Sequence, residues 1–176
     1  MVVPLREAIG SGVFEKVLSA ISQFSCKDSD VESFLKSKAI DFEKRDKSRT
    51  YLVFEDTSMA LLGYYTLSLK ALPFSQNVSK STIKSIDGFS KDIRAVGIVL
   101  IGQFGKDYTK AKHIDGDYLF SICMETVYRV QDLIGGRFVM LECHEIDKVV
   151  KFYERQGFES LQYDETDKYL QMIRRL

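Results

Sequence analysis

The order of apolar stretches in this chain predicts a mixed α/β fold with a central β-sheet flanked by helices. Three observations lead there. Runs rich in β-branched and aromatic residues, such as "RTYLVFED" and "AVGIVLIGQFGKD", alternate with stretches of helical periodicity. The segment from Ala95 to His144 reads strand–helix–strand, a unit that implies a right-handed crossover and locally parallel strands. A length of 176 residues, 45% of them apolar, suits one domain, residues 1–176, with a real core.

Taken in order, "VFEKVLSAISQF" reads as a first strand and turn. In "CKDSDVESFLKSKAIDFEKRDKS", Asp28 or Asp30 caps a helix, because a carboxylate accepts the unbonded N–H groups of a first turn. Val31, Phe34, Leu35, Ala39 and Phe42 share one face of that helix, with lysines and acids opposite. "RTYLVFED" and "MALLGYYTLSLKALPF", parted by "DTS", read as an antiparallel pair of strands. The serine-rich "SQNVSKSTIKSIDGFSKDIR" shows no clear period and reads as a long loop, of a length that often serves function. After the strand "AVGIVLIGQFGKD", Leu119, Ile122, Cys123, Thr126, Val130 and Leu133 keep helical spacing until Gly135 and Gly136 stop it. "RFVMLECH" is then a strand, "EIDKVVKFYERQG" a helix, and "FESLQ" and "KYLQMIRRL" are closing strands.

Composition excludes several classes. Lysine plus arginine equals aspartate plus glutamate at 25 each, so no whole-molecule field points to DNA or an anionic membrane. Cys26, Cys123 and Cys143 lack CxxC or metal-type spacing and read as reduced, mostly buried thiols. His113 and His144 have no third ligand at metal spacing, so no metal site is expected. "MVVPLREAIG" carries no signal pattern and no apolar run is long enough for a bilayer, which predicts a soluble, cytoplasmic protein with no membrane partner.

Three stretches carry a resemblance: "LLGYYTLS" at Leu61–Ser68, "VLIGQFGKDYTKAKHIDGDYLF" and "KFYERQGF". Through them the chain resembles the GCN5-related N-acetyltransferase (GNAT) superfamily over nearly its whole length. Its front segment, "FSCKDSDVESFLKSKAIDFEKRDKSRTYLVFED", is similar to the opening of the acetyltransferase toxins of toxin–antitoxin modules, which acetylate the amino acid on charged tRNA. Where that subgroup shows F-x-C-G, this chain has Lys27 in place of the glycine. The resemblance implies a GNAT fold with a splayed parallel strand pair and acetyl-CoA as cosubstrate. The pantetheine would run along the strand Val99–Lys106, involving Leu100, Ile101, Gln103, Phe104, Gly105 and Lys106. The pyrophosphate would sit near Lys112, His113, Gly116 and Asp117, where the N–H groups and dipole of an opening helix favour an anion. Gly116 matches the last glycine of the family's Q/R-x-x-G-x-G/A loop, but Ala111, Lys112, His113, Ile114 and Asp115 replace the residues before it. Lys110, Lys112 and His113 could supply positive charge there, and Asp115 opposes an anion.

Tyr153 matches the tyrosine that, in this family, protonates the departing thiolate, a task within reach of a phenol of pKa ~10. Without the resemblance it reads as a half-buried packing aromatic. Phe152, Gly157 and Phe158 read as structural, and Ile146 stands where an asparagine often precedes the tyrosine. Amides near Gln103–Gly105 are the oxyanion candidates. The acceptor implied is a primary amine: a small molecule, a protein or, for a toxin with its antitoxin, aminoacyl-tRNA. Glu55, Asp56, Glu142 and Glu145 all lie near strand ends as candidate bases, while His144 reads as a surface residue. Tyr64 and Tyr65 alternate, so one faces the core and the other the acceptor cleft. Gln103 and Lys106 replace an arginine and a valine typical of the toxin-like strand. A homodimer is compatible with this architecture. The competing class is a non-catalytic GNAT-fold binding protein, suggested by the glycine-poor loop.

Overall fold

The computed structural model describes residues 1–109, 114–164, 166 and 168–176. In chain order its elements are β1 (Val2–Pro4), α1 (Leu5–Ala8), α2 (Phe14–Gln23), α3 (Ser29–Ser37), α4 (Ala39–Lys44), β2 (Arg49–Phe54), β3 (Leu61–Pro73), α5 (Lys80–Asp87), β4 (Ala95–Lys106), α6 (Gly116–Ile134), β5 (Phe138–Cys143), α7 (Asp147–Arg155), β6 (Glu159–Tyr163) and β7 (Leu170–Arg175). Among the described residues, seven strands make one mixed sheet in the order β1-β2-β3-β4-β5-β7-β6. The chain divides into two compact units, Met1–Ser68 with Gly102–Met124, and Leu69–Ile101 with Glu125–Leu176. The divisions fall inside β3, β4 and α6, so each of these elements contributes to both.

In the first unit, β1 and β3 flank β2 in antiparallel ladders, with Val2 opposite Val53 and Arg49 opposite Leu67. The predicted antiparallel pair is present, with a register slip at Val53/Phe54. Leu5, Val17, Ile21, Phe24, Leu35, Leu52, Phe54, Leu61 and Tyr64 pack into its core. The stretch read as a first strand is instead α2. Phe14, Val17, Ile21 and Phe24 recur at helical spacing, and the last three are buried; that period overrides the β-branched composition. Asp28, not Asp30, caps α3: its Oδ1 accepts from the amides of Asp30 at 2.9 Å and Val31 at 3.2 Å. The single helix expected there breaks at Lys38, which ends α3 and opens α4.

In the second unit, β4 and β5 run parallel, with Val99, Leu100 and Ile101 opposite Val139, Met140 and Leu141. This is the predicted crossover pair. β7 is antiparallel to both β5 and β6 and lies between them. The expected long loop contains α5, capped by Ser79, whose Oγ accepts from the Thr82 amide at 3.1 Å. Gly88 ends α5 at φ 91°, a left-handed conformation that glycine adopts without a Cβ penalty. Ile83 and Ile86 are buried, and Ile86 joins Leu72, Ile98, Met140 and Ile173 in the core of this unit. On α6 the buried face is Leu119, Phe120, Cys123, Met124 and Val127; Leu133, expected on it, is 82% exposed because the helix outruns the core. No helix among the described residues is long and apolar enough to cross a membrane.

Candidate active site

Within the first unit, the end of β4 is fastened at several points. Gly105 is buried, and a Cβ there would come within 2.5 Å of Val31 Cγ1 and 3.3 Å of Cys26 Sγ. Its side is therefore occupied by α3 and the segment before it, and it can serve a ligand only through its main chain. Gly63 on β3 is equally constrained, since a Cβ would lie 2.9 Å from the Gly105 carbonyl oxygen. Phe104 meets Phe120 edge-on at 5.3 Å. Gln103 Oε1 is buried and accepts no hydrogen bond among the described residues. Lys106 Nζ donates to the carbonyl of Ile114 at 3.1 Å, which ties the strand to the residues just before α6.

Asp107, which the sequence reading passed over, is 1% exposed and completes the fastening. It accepts from the Ser25 amide (3.2 Å) and from the amide and hydroxyl of Thr109 (2.8 and 2.7 Å). The D-x-T turn signal in "KDYT" was the available clue.

The start of α6 answers part of the expectation for a pyrophosphate. Asp115 Oδ1 accepts from the amides of Asp117 at 2.8 Å and Tyr118 at 3.2 Å. An internal carboxylate thus holds two of the N–H groups that an anion at this terminus would use. Gly116 and Asp117 lie at the helix opening as expected, whereas Lys112 and His113 fall outside the described residues.

Tyr64 and Tyr65 are both fully buried, which corrects the expectation that one faces an acceptor cleft. Tyr64 donates its hydroxyl to the Val31 carbonyl at 2.5 Å, and burial pushes its pKa well up, so it stays a protonated donor. Tyr65 stacks on Tyr51 at 5.1 Å. β3 is covered on both faces at this point, so strict inside–outside alternation does not apply. Burial also raises the pKa of the Cys26 and Cys123 thiols and pushes Cys143 to about 11, so none carries thiolate character.

In the second unit, Tyr153 lies half-buried on α7, edge-on to Phe152 at 5.1 Å and to Phe158 at 6.1 Å. Gly157, at φ 81°, lets the chain double back so that the Phe158 amide donates to the Tyr153 carbonyl at 3.0 Å. This explains the glycine and second aromatic of "KFYERQGF". The four candidate acids separate by their partners. Glu55 accepts from the Ser58 hydroxyl, and Asp56 pairs with the N-terminal ammonium at 2.7 Å. Glu145 accepts from the Tyr163 hydroxyl at 2.6 Å. Glu142 pairs with Lys70 at 2.5 Å and accepts from Gln171 at 2.7 Å. His144 is exposed, as the sequence suggested, with its ring 4.7 Å from that of Tyr169.

No family model matches the sequence. A probable toxin TacT of Sinorhizobium fredii is 23% identical over 144 residues, covering 78% of this chain and 77% of that protein. Among solved structures, a bacterial toxin matches with a TM-score of 0.71 at 17% identity, over 89% of this chain and 83% of that one. AtaT complexed with acetyl-methionyl-tRNAfMet matches with a TM-score of 0.67 at 22% identity, over 86% and 85% of the two chains. A tyrosine-to-phenylalanine mutant of the AtaT toxin, bound to the C-terminus of the antitoxin AtaR and acetyl-CoA, matches with a TM-score of 0.61 at 18% identity, over 86% and 83%. The fold is that of the GNAT toxins.

For a GNAT fold the short β4–β5 ladder is informative. Registered pairing ends at Ile101 opposite Leu141, although β4 continues to Lys106 and β5 to Cys143. Parallel strands that stop pairing before they end leave main-chain N–H and C=O groups available to an extended ligand. Leu100 and Ile101 belong to the paired part; Gln103, Phe104, Gly105 and Lys106 lie beyond it. The fit to acetyl-CoA is therefore favourable along the pantetheine and opposed by Asp115 at the pyrophosphate.

Proposed function

We propose that this chain is an acetyl-CoA-dependent N-acetyltransferase of one domain, residues 1–176, that acetylates the amino group of aminoacyl-tRNA and acts as the toxin of a toxin–antitoxin pair. The supporting observation is the match of its fold, over 86% of its length, to AtaT complexed with acetyl-methionyl-tRNAfMet. The antitoxin partner is supported by AtaT's structure with the C-terminus of AtaR. The cytoplasm, which holds both charged tRNA and acetyl-CoA, is the place of action on this reading.

Acetyl-CoA supplies the acetyl group as a thioester. The backbone beyond Ile101 on β4 holds the pantetheine, and amides near Gln103–Gly105 polarise the thioester carbonyl, stabilising charge that develops there. Residues near Gly116 and Asp117, with Lys112 and His113, receive the pyrophosphate. The acceptor amine, once neutral, forms the new C–N bond as the C–S bond breaks. Tyr153 gives its phenolic proton to the leaving sulfur, the acetylated nitrogen sheds its extra proton to solvent, and Tyr153 regains one from solvent. Much of the rate then comes from holding the two reactants in line.

The test is acetyl transfer from labelled acetyl-CoA to charged tRNA by the full chain. Tyr153→Phe is expected to lower kcat by roughly 10²–10⁴-fold, with acetyl-CoA affinity unchanged by calorimetry. Absence of acetyl-CoA binding at millimolar concentration would reject the transferase and leave the non-catalytic binding module, which the Asp115 cap favours.

A further inference from the structure

A line of polar side chains in the second unit holds one carboxylate in a fixed orientation. Glu142 is the first β5 residue past the last registered pair of the parallel ladder. Its Oε1 accepts from Lys70 Nζ at 2.5 Å and from Gln171 Nε2 at 2.7 Å. Gln171, only 3% exposed, stands opposite Glu142 in the β5–β7 register. The Gln171 Oε1 accepts in turn from Gln162 Nε2 at 2.8 Å. Gln162 is fixed to main chain, donating to the Pro73 carbonyl at 2.8 Å and accepting from the Ser75 amide at 2.9 Å. The Glu142 side chain nonetheless stays 21% exposed, and that of Lys70 36%.

An ordinary surface ion pair contributes little to stability and requires no backing of this kind. Two side-chain amides in series, Gln171 buried and Gln162 half-buried and tied to main chain, instead pre-orient a carboxylate, as binding sites do with their polar groups. The cation it holds is a primary ammonium at the end of a flexible stem, a group that can swing away.

We propose that Glu142 is the seat for the acceptor's primary ammonium, and that Lys70 is the chain's own occupant of that seat, displaced when the acceptor arrives. The purpose of the seat rests on the acetyltransferase reading; its existence does not. Once the held ammonium has given up a proton to solvent, acetylation converts the amine into a neutral amide, so the seat holds substrate and releases product.

The experiment is an NMR titration of the full chain with methionine amide and with N-acetylmethionine amide, using wild type, Lys70→Met and Glu142→Gln. Methionine amide is the probe because one structural relative was solved with acetyl-methionyl-tRNAfMet. Lys70→Met is expected to bind it roughly tenfold tighter than wild type, and Glu142→Gln at least tenfold more weakly than Lys70→Met. The acetylated probe is expected to bind none of them. Equal affinity in wild type and Lys70→Met, no binding to Lys70→Met, or equal binding of both probes overturns the proposal. The Lys70→Met arm decides even where Glu142→Gln unfolds. With methionyl-tRNA as substrate, Glu142→Gln is expected to raise KM while acetyl-CoA affinity stays constant. Ammonium binding that survives without any acetyl transfer would reject the transferase reading and leave the seat standing.

Discussion

Asp164, after β6, accepts from the amides of Lys168 and Tyr169, both at 2.9 Å, and from the Thr166 hydroxyl at 2.7 Å. The Tyr169 amide is the largest influence, followed by Thr166, and together with Lys168 they hold its pKa near 2, below the ordinary 3.8. A depressed carboxylate pKa means the folded state favours the ionised form. The stabilisation is complete above the unfolded value of 3.8 and is lost as pH falls toward about 2. Asp164→Asn is therefore expected to flatten the fall of the unfolding midpoint between those pH values, measured by denaturant titration at a series of pH. An unchanged slope would show that the turn does not depend on the charge. Residues of this kind were hard to read in the sequence. Asp107 and Asp164 look like loop acids until the chain's path aims amides at them, and Glu142 was one of four equivalent acids until Gln171 and Lys70 appeared beside it. The structural part of "KFYERQGF", by contrast, was legible, because Gly157 and Phe158 fold back on Tyr153 within one short motif.

Whole elements were legible where period and cap agreed. The helix α3 announced itself through an aspartate cap, Asp28 or Asp30, and its apolar face, and the β4–α6–β5 crossover through two buried strands around a long periodic helix. The failures have physical causes. α2 carries β-branched residues on a helical period, so composition and spacing pointed opposite ways. α5 has only Ile83 and Ile86 on its buried side, and its serines concealed the Ser79 and Gly88 caps that frame it. β1 is three residues long and exists because β2 offers it an edge. At α6, Asp115 performs two opposed tasks: it caps the helix and repels an anion from the same amides. Asp115→Asn retains a capping oxygen without the charge. It is expected to cost at most about 1 kcal/mol of stability, while acetyl-CoA affinity by calorimetry rises severalfold. Unchanged affinity would place the pyrophosphate elsewhere.

For the whole molecule, equal numbers of basic and acidic residues leave no net charge to draw tRNA. Any attraction must come from local clusters and is screened by salt. If the chain is a toxin, expression of the wild type in growing bacteria is expected to retard growth, and Tyr153→Phe to leave growth normal at equal protein level. Vigorous growth with abundant wild-type protein would remove the toxin assignment without touching acetyl transfer itself.

The seventh strand is an inner one although it follows the other six in the chain. β7 is inserted between β5 and β6, and its Leu170, Met172 and Ile173 are all buried. A polypeptide released before residue 170 leaves facing edges of two strands unmatched and inviting to other chains. Such premature-stop products are expected to collect in inclusion bodies, with no partly active form, as fractionation of cell lysates would reveal. The sheet is therefore closed only once residues 170–175 have left the ribosome.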